Sequence, residues 1–168
     1  MNNLILIRHG MSYWNKAKRF TGWADIDLHE EGKLEAKNAG LLLKNLKINF
    51  DGYFTSQLKR AIDSLNIILE VLNKSNVEIN KVWELNERHY GNLTSFNRDE
   101  IEKKFGSEQV LIWRRSFNTR PPPMDKKHPY KDKIKSSILS ESLEDTVKRV
   151  IPYYEKKIKP LILSKKNV

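Results

Sequence analysis

The chain has 168 residues, with 31 Lys and Arg against 21 Asp and Glu, and no cysteine. That length suits one domain over 1–168 with a core that needs no covalent staple, and the absence of Cys excludes a disulfide framework, a Cys-ligated zinc site and a thiol nucleophile. No apolar run approaches the ~18 residues of a membrane span, and Leu4–Ile7 is too short and lacks a basic flank to read as a signal peptide, so a cytoplasmic location is expected.

Leu4–Arg8 is a continuous apolar run ending in a polar turn and reads as a buried, central, parallel strand. Residues 9–28 lack periodicity and read as a loop of functional length. Leu34, Ala39, Leu42, Leu43 and Leu46 mark one face of a helix that starts near Glu30. Asp51–Ser56 reads as a second strand. Leu58, Ala61, Ile62, Leu65, Ile68, Leu69 and Leu72 follow at helical spacing, the clearest amphipathic pattern in the chain.

Glu78–Trp83 reads as a third strand. Asn97–Lys104 and Ser107–Phe117 read as short helices divided by Gly106, and Pro121–Pro123 starts an extended loop. Leu143, Val147, Val150, Ile151, Tyr154 and Ile158 define a C-terminal helix that Pro152 should kink. Strands alternating with helices predict an α/β fold with a mostly parallel sheet. The net charge of +10 is uneven: residues 1–97 carry +2 and residues 98–168 carry +8. Most of the excess is a lysine-rich surface mixed with acids, which gives no case for nucleic acid or membrane as partner.

Arg8-His9-Gly10 lies at the carboxyl end of the first expected strand, where open α/β sheets bind ligands. Neutral imidazole is a competent nucleophile toward phosphorus, and an adjacent arginine can hold phosphoryl oxygens in its planar fork. The tripeptide alone leaves a merely structural histidine open.

Further motifs follow in order: Asn15, Arg19-Phe20-Thr21-Gly22-Trp23, Thr55–Ala61 with Arg60, Glu87-Arg88-His89-Tyr90-Gly91, and Trp113-Arg114-Arg115 before the proline run. The series, from about residue 4 to about residue 160, resembles the cofactor-dependent phosphoglycerate mutases of the histidine phosphatase superfamily. Glu87–Gly91 and the paired arginines set it apart from general phosphatases of that fold.

The resemblance implies a three-layer αβα sandwich. It also implies interconversion of 3-phosphoglycerate and 2-phosphoglycerate, primed by 2,3-bisphosphoglycerate and without a metal. His9 corresponds to the phosphohistidine nucleophile, Arg8 and Arg60 to clamps on the transferred group, and Glu87 to the proton donor and acceptor. Gly10, Ser12, Asn15, Thr21, Gly22, Arg88, His89, Tyr90, Arg98, Arg114 and Arg115 complete the expected substrate-binding set. Arg98 stands where the family usually has Lys. His29 and His128 match no site position and are expected at the surface. The four tryptophans are expected in core or pocket wall.

Three departures stand out. Met11 replaces a glutamate that follows Arg-His-Gly in the family, removing a pocket carboxylate. The stretch from His128 to Ser142 is shorter than the family's lid loop. The chain also ends at about the point where the family adds a last central strand carrying a second histidine. The expected partners are therefore small phosphorylated three-carbon acids, a homodimer or homotetramer, and a separate fragment bearing that strand. The alternatives are a phosphoglycerate-binding remnant without turnover and a histidine phosphatase.

Overall fold

The computed structural model describes residues 2–74 and 76–168. A one-turn helix α1 (Tyr13–Lys16) precedes α2 (Glu30–Asn45). Strand β1 (Tyr53–Ser56), helix α3 (Lys59–Val71) and strand β2 (Ile79–Val82) form a β-α-β unit. α4 (Arg98–Phe105), α5 (Ser107–Arg115), α6 (Leu143–Tyr153) and α7 (Lys159–Leu163) follow. β1 and β2 pair in parallel, Tyr53 opposite Ile79 and Ser56 opposite Val82. A helical crossover is the usual way to join such a pair. The fold is α/β with a parallel sheet, as the alternation of elements predicts.

Local chemistry fixes the helix starts. His29 Nδ1 accepts the Glu31 N–H, and Glu30 and Glu31 place negative charge at the positive end of α2. Asn97 caps α4, and Ser142 with Asp145 makes a reciprocal capping box on α6. Pro152 lies inside α6, and immediately beyond it the winding opens into a π turn, Tyr154–Ile158. This is the break expected where an N–H is missing.

The core is divided. Phe20, Leu93, Ile101 and Val110 form one cluster with Tyr90 and Trp113 against it. Ala24, Met124 and Ile134 form another, flanked by Trp14 and Trp23.

Several expectations are corrected. Leu4–Arg8 is not a strand. Among the described residues its only backbone bond is from Ile5 N–H to Val168 O (2.8 Å), and Leu6 is 84% exposed. A strand needs a ladder on its flank, and here a cavity of about 780 Å³ is lined by Leu4–His9 on one side and by Gly52–Ser56 and α3 on the other.

The leucine face of α2 is also turned out, with Leu34, Leu42 and Leu46 exposed. Gly32, Ala36 and Gly40 are buried instead. Small residues let α2 come close to α3: a Cβ on Gly40 would lie 2.9 Å from Val71 Cβ. On α6, Leu143, Val147 and Ile151 are exposed, whereas Arg149 is buried. His128 is buried as well, its Nε2 3.1 Å from Thr94 O and its Nδ1 accepting the Tyr130 N–H.

Candidate active site

The site gathers beside the β-α-β unit, where three parts of the chain meet. Arg60 lies in the first turn of α3, just past the carboxyl end of β1. Glu87 follows the short turn after β2, and His9 closes the extended N-terminal segment. Gly10 sets the position of His9. A Cβ there would lie 2.1 Å from the Gly32 carbonyl oxygen, so only glycine permits this contact with α2. Gly10 N–H donates to Ser64 Oγ (3.0 Å), and that hydroxyl donates to Arg60 O (2.7 Å), which ties the loop to α3.

Arg60 has no exposed surface and binds on every side. Its Nε–H donates to His9 Nε2 (3.2 Å), and Nη1 donates to Ala24 O (3.0 Å). Nη2 donates to Gly22 O (2.8 Å) and to Glu87 Oε2 (2.8 Å). Gly22 reaches this position with φ +51°, in the left-handed region. His9 Nδ1 lies 2.7 Å from Gly10 O, which fixes the proton there and leaves the Nε2 lone pair free to accept.

Burial lowers the His9 pKa to about 4, and the Arg60 and Arg8 cations push the same way. Its ring is therefore neutral at pH 7. Loss of water raises the Glu87 carboxyl above its ordinary value, against the pull of Arg60, Arg8 and Arg88. That side chain keeps 37% of its surface open, so it remains reachable from the cavity it shares with Arg8, His9 and Arg60.

The other expected residues join this cluster to different degrees. Arg8 is exposed. Arg88 donates to Arg114 O (2.6 Å) and lies over the Tyr90 ring, which packs on Phe20. Arg114 and Arg115 end α5. His89 is fully buried, its Nδ1 accepting the Gly91 N–H (2.9 Å).

Ser12 and Asn15 cap each other at α1. Thr21 is buried beside Gly22, and Arg98 donates to Lys18 O. Among the described residues no hydrogen bond joins Ser12, Asn15, Arg98 or Arg115 to the His9–Arg60–Glu87 cluster.

Sequence reading missed four contributors. Trp23 Nε1 donates to Glu87 O (2.6 Å). Glu141 and Arg149 form a buried ion pair (2.6 Å) behind that loop. Glu35 was also missed: its carboxylate accepts the Met11 N–H (2.8 Å) and bears electrostatically on His9, so a carboxylate stands near the position where Met11 removes one.

The chain is similar to known proteins along most of its length. The sequence profile of the Histidine phosphatase superfamily (branch 1) matches residues 4–159. The 2,3-bisphosphoglycerate-dependent phosphoglycerate mutase of Hamiltonella defensa is 49% identical over the whole chain, which covers 71% of that protein. That of Buchnera aphidicola subsp. Schizaphis graminum is 51% identical over 99% of the chain, which covers 76% of it.

Among solved structures, a mycobacterial glucosyl-3-phosphoglycerate phosphatase superposes with a TM-score of 0.76 at 21% identity. That match covers all of this chain and 74% of the other. The phosphoglycerate mutase of Bacillus anthracis gives 0.72 at 23% identity, over 99% of this chain and 72% of the other. These two structures match in fold.

Proposed function

The chain belongs to the histidine phosphatase superfamily, alongside the 2,3-bisphosphoglycerate-dependent phosphoglycerate mutases, and on that premise we propose that it interconverts 3-phosphoglycerate and 2-phosphoglycerate through a phosphate carried on His9. One observation carries the reading. The buried guanidinium of Arg60 holds His9 Nε2 at 3.2 Å and Glu87 Oε2 at 2.8 Å, so a nucleophile and a proton carrier share one cation.

His9 Nε2 forms the N–P bond as the P–O bond to the substrate oxygen breaks, and Glu87 supplies the proton that oxygen needs. In the return transfer Glu87 takes the proton from the attacking hydroxyl, and His9 releases the phosphoryl group. A carboxyl with raised proton affinity suits both directions. Arg8 and Arg60 neutralise charge on the group in flight.

The residues fit a diphosphorylated primer. Such a ligand carries about five negative charges, and the set Arg8, Arg60, Arg88, Arg114 and Arg115 is a matching complement. Arg8 makes no hydrogen bond among the described residues and is free to engage. The primer, 2,3-bisphosphoglycerate, supplies the phosphoryl group with which His9 is loaded.

Two further parts belong to the same proposal. A strand brought by a separate fragment occupies the cavity beside Leu4–His9. A homodimer or homotetramer covers apolar side chains such as Leu34 and Leu42 that α2 leaves exposed. No helix among the described residues is long and apolar enough to cross a membrane, and a cytoplasmic place completes the reading.

Mass spectrometry after incubation with 2,3-bisphosphoglycerate is the direct test. An acid-labile phosphate is expected on His9 and none in His9→Ala; a label that persists in His9→Ala sinks the assignment. Glu87→Gln is expected to slow both the loading of His9 from 2,3-bisphosphoglycerate and mutase turnover, by about 10²- to 10⁴-fold. Unchanged rates of both would remove Glu87 from the proton-transfer role.

A further inference from the structure

Arg149 spends all five of its N–H donors. Nε donates to Glu141 Oε1 (2.6 Å) and Nη2 to Glu141 Oε2 (2.9 Å). Nη1 donates to the main-chain oxygens of Glu84 (2.7 Å) and Trp83 (3.4 Å), and Nη2 also donates to that of Glu87 (3.1 Å). Glu141 Oε2 in turn accepts the His89 N–H (2.9 Å). The guanidinium lies near the faces of Trp23 (5.6 Å) and Trp83 (5.9 Å), and Trp23 donates to the same Glu87 oxygen. One ion pair thus holds the peptide groups of residues 83, 84, 87 and 89.

A buried ion pair is a poor source of stability, since apolar side chains of equal volume commonly replace it at no loss. Here, however, the segment after β2 has little regular structure of its own beyond a three-residue turn, Trp83–Leu85. Its conformation depends on groups brought from elsewhere. Arg60 grips the Glu87 carboxylate from the cavity side, and Arg149 grips the Glu87 backbone from behind. A displacement of about 1 Å at a catalytic group can cost 10²-fold in rate.

We propose that Arg149, oriented by Glu141, is a positioning residue that sets the Glu87 carboxyl for proton transfer and so couples helix α6 to the active site. The inference rests on the reading of Glu87 as proton carrier.

The test separates proton transfer from phosphoryl transfer. Loading of His9 from 2,3-bisphosphoglycerate expels an alkoxide and needs a proton; loading from p-nitrophenyl phosphate expels a phenolate that needs none. In the volume-matched double variant Glu141→Leu/Arg149→Met, loading from 2,3-bisphosphoglycerate should fall about 10²-fold with KM unchanged. Loading from p-nitrophenyl phosphate should stay within a few-fold. Arg149→Lys keeps the charge but loses the fork, and should show the same split if the double variant does not fold.

Parallel loss with both donors, or no loss, overturns the positioning role. Failure of the unmodified chain to load His9 from either donor would instead count against the proposed function. The positioning role is then judged by carbon-13 titration of the Glu87 carboxyl. Its midpoint should move to the ordinary value near 4.3 in the variants, and an unmoved midpoint overturns the inference.

Discussion

His9 and His89 are both kept neutral by burial, their pKa values lowered from 6.5 to about 4. The unfolded chain takes up these protons as pH falls through 6.5, and the folded chain only near 4. Between those values the unfolded state binds more protons, so stability rises with pH and is lost as pH falls from about 6.5 toward 4. For fully buried His89 the ceiling is about 1.4 kcal/mol per pH unit. Urea unfolding at pH 7 and pH 4.5 should therefore differ by a few kcal/mol, with a smaller difference in His9→Asn. A flat profile across that window would contradict the assignment of both rings as neutral. These site residues were legible in sequence because motif spacing carries them. Arg149 and His128 were not, because a lone cation or imidazole in a polar stretch reads as surface until its partners, 8 to 66 residues away, are known.

The elements were legible where one segment suffices to define them. α3 satisfies its own backbone and shows its apolar period openly, and β1 and β2 fall within the expected runs. Misreading arose where an element depends on a neighbour. The N-terminal run lacks a flanking ladder, and α2 contacts α3 through small residues that hydropathy does not weight. The contact of α2 with the His9 loop is the tightest of these. Gly32 would place a Cβ 2.1 Å from Met11 O, just as Gly10 would place one on Gly32 O. Gly10→Ala must then force two backbones apart, at a cost of about 1–3 kcal/mol, and carry His9 away from Arg60. Lower Tm together with lost His9 labelling is expected. Gly106→Ala is the contrast. Its Cβ would meet open space, so only the φ of +84° is strained, and Tm should fall slightly with labelling unchanged. Equal labelling in the two variants would show that the Gly10–Gly32 contact does not place His9.

At the scale of the molecule the cavity beside Leu4–His9 decides behaviour. Val168 already enters its mouth. Val168 N–H donates to Asn3 O (2.9 Å) and Ile5 N–H donates to Val168 O (2.8 Å), a parallel pairing. On the other side Asp51 N–H donates to Asn167 O (2.8 Å). Continued two residues at a time, that ladder would use Ile5 O, Ile7 N–H, Ile7 O and His9 N–H. Four residues at about 3.3 Å each bring a strand level with His9. The walls, including Phe54, Leu65 and Ile68, are apolar enough for such a strand, and leaving them wet makes the edge adhesive. A synthetic Val- and Ile-rich hexapeptide with lysines at its ends should therefore protect the amides of Ile7 and His9 from hydrogen exchange. The same peptide with alternate residues N-methylated should not, because the hydrophobic surface is equal and only the ladder is lost. Protection by both peptides would mean a greasy cleft without strand specificity. Protection by neither at millimolar concentration would mean that the segment from Leu4 to His9 does not accept a strand at all.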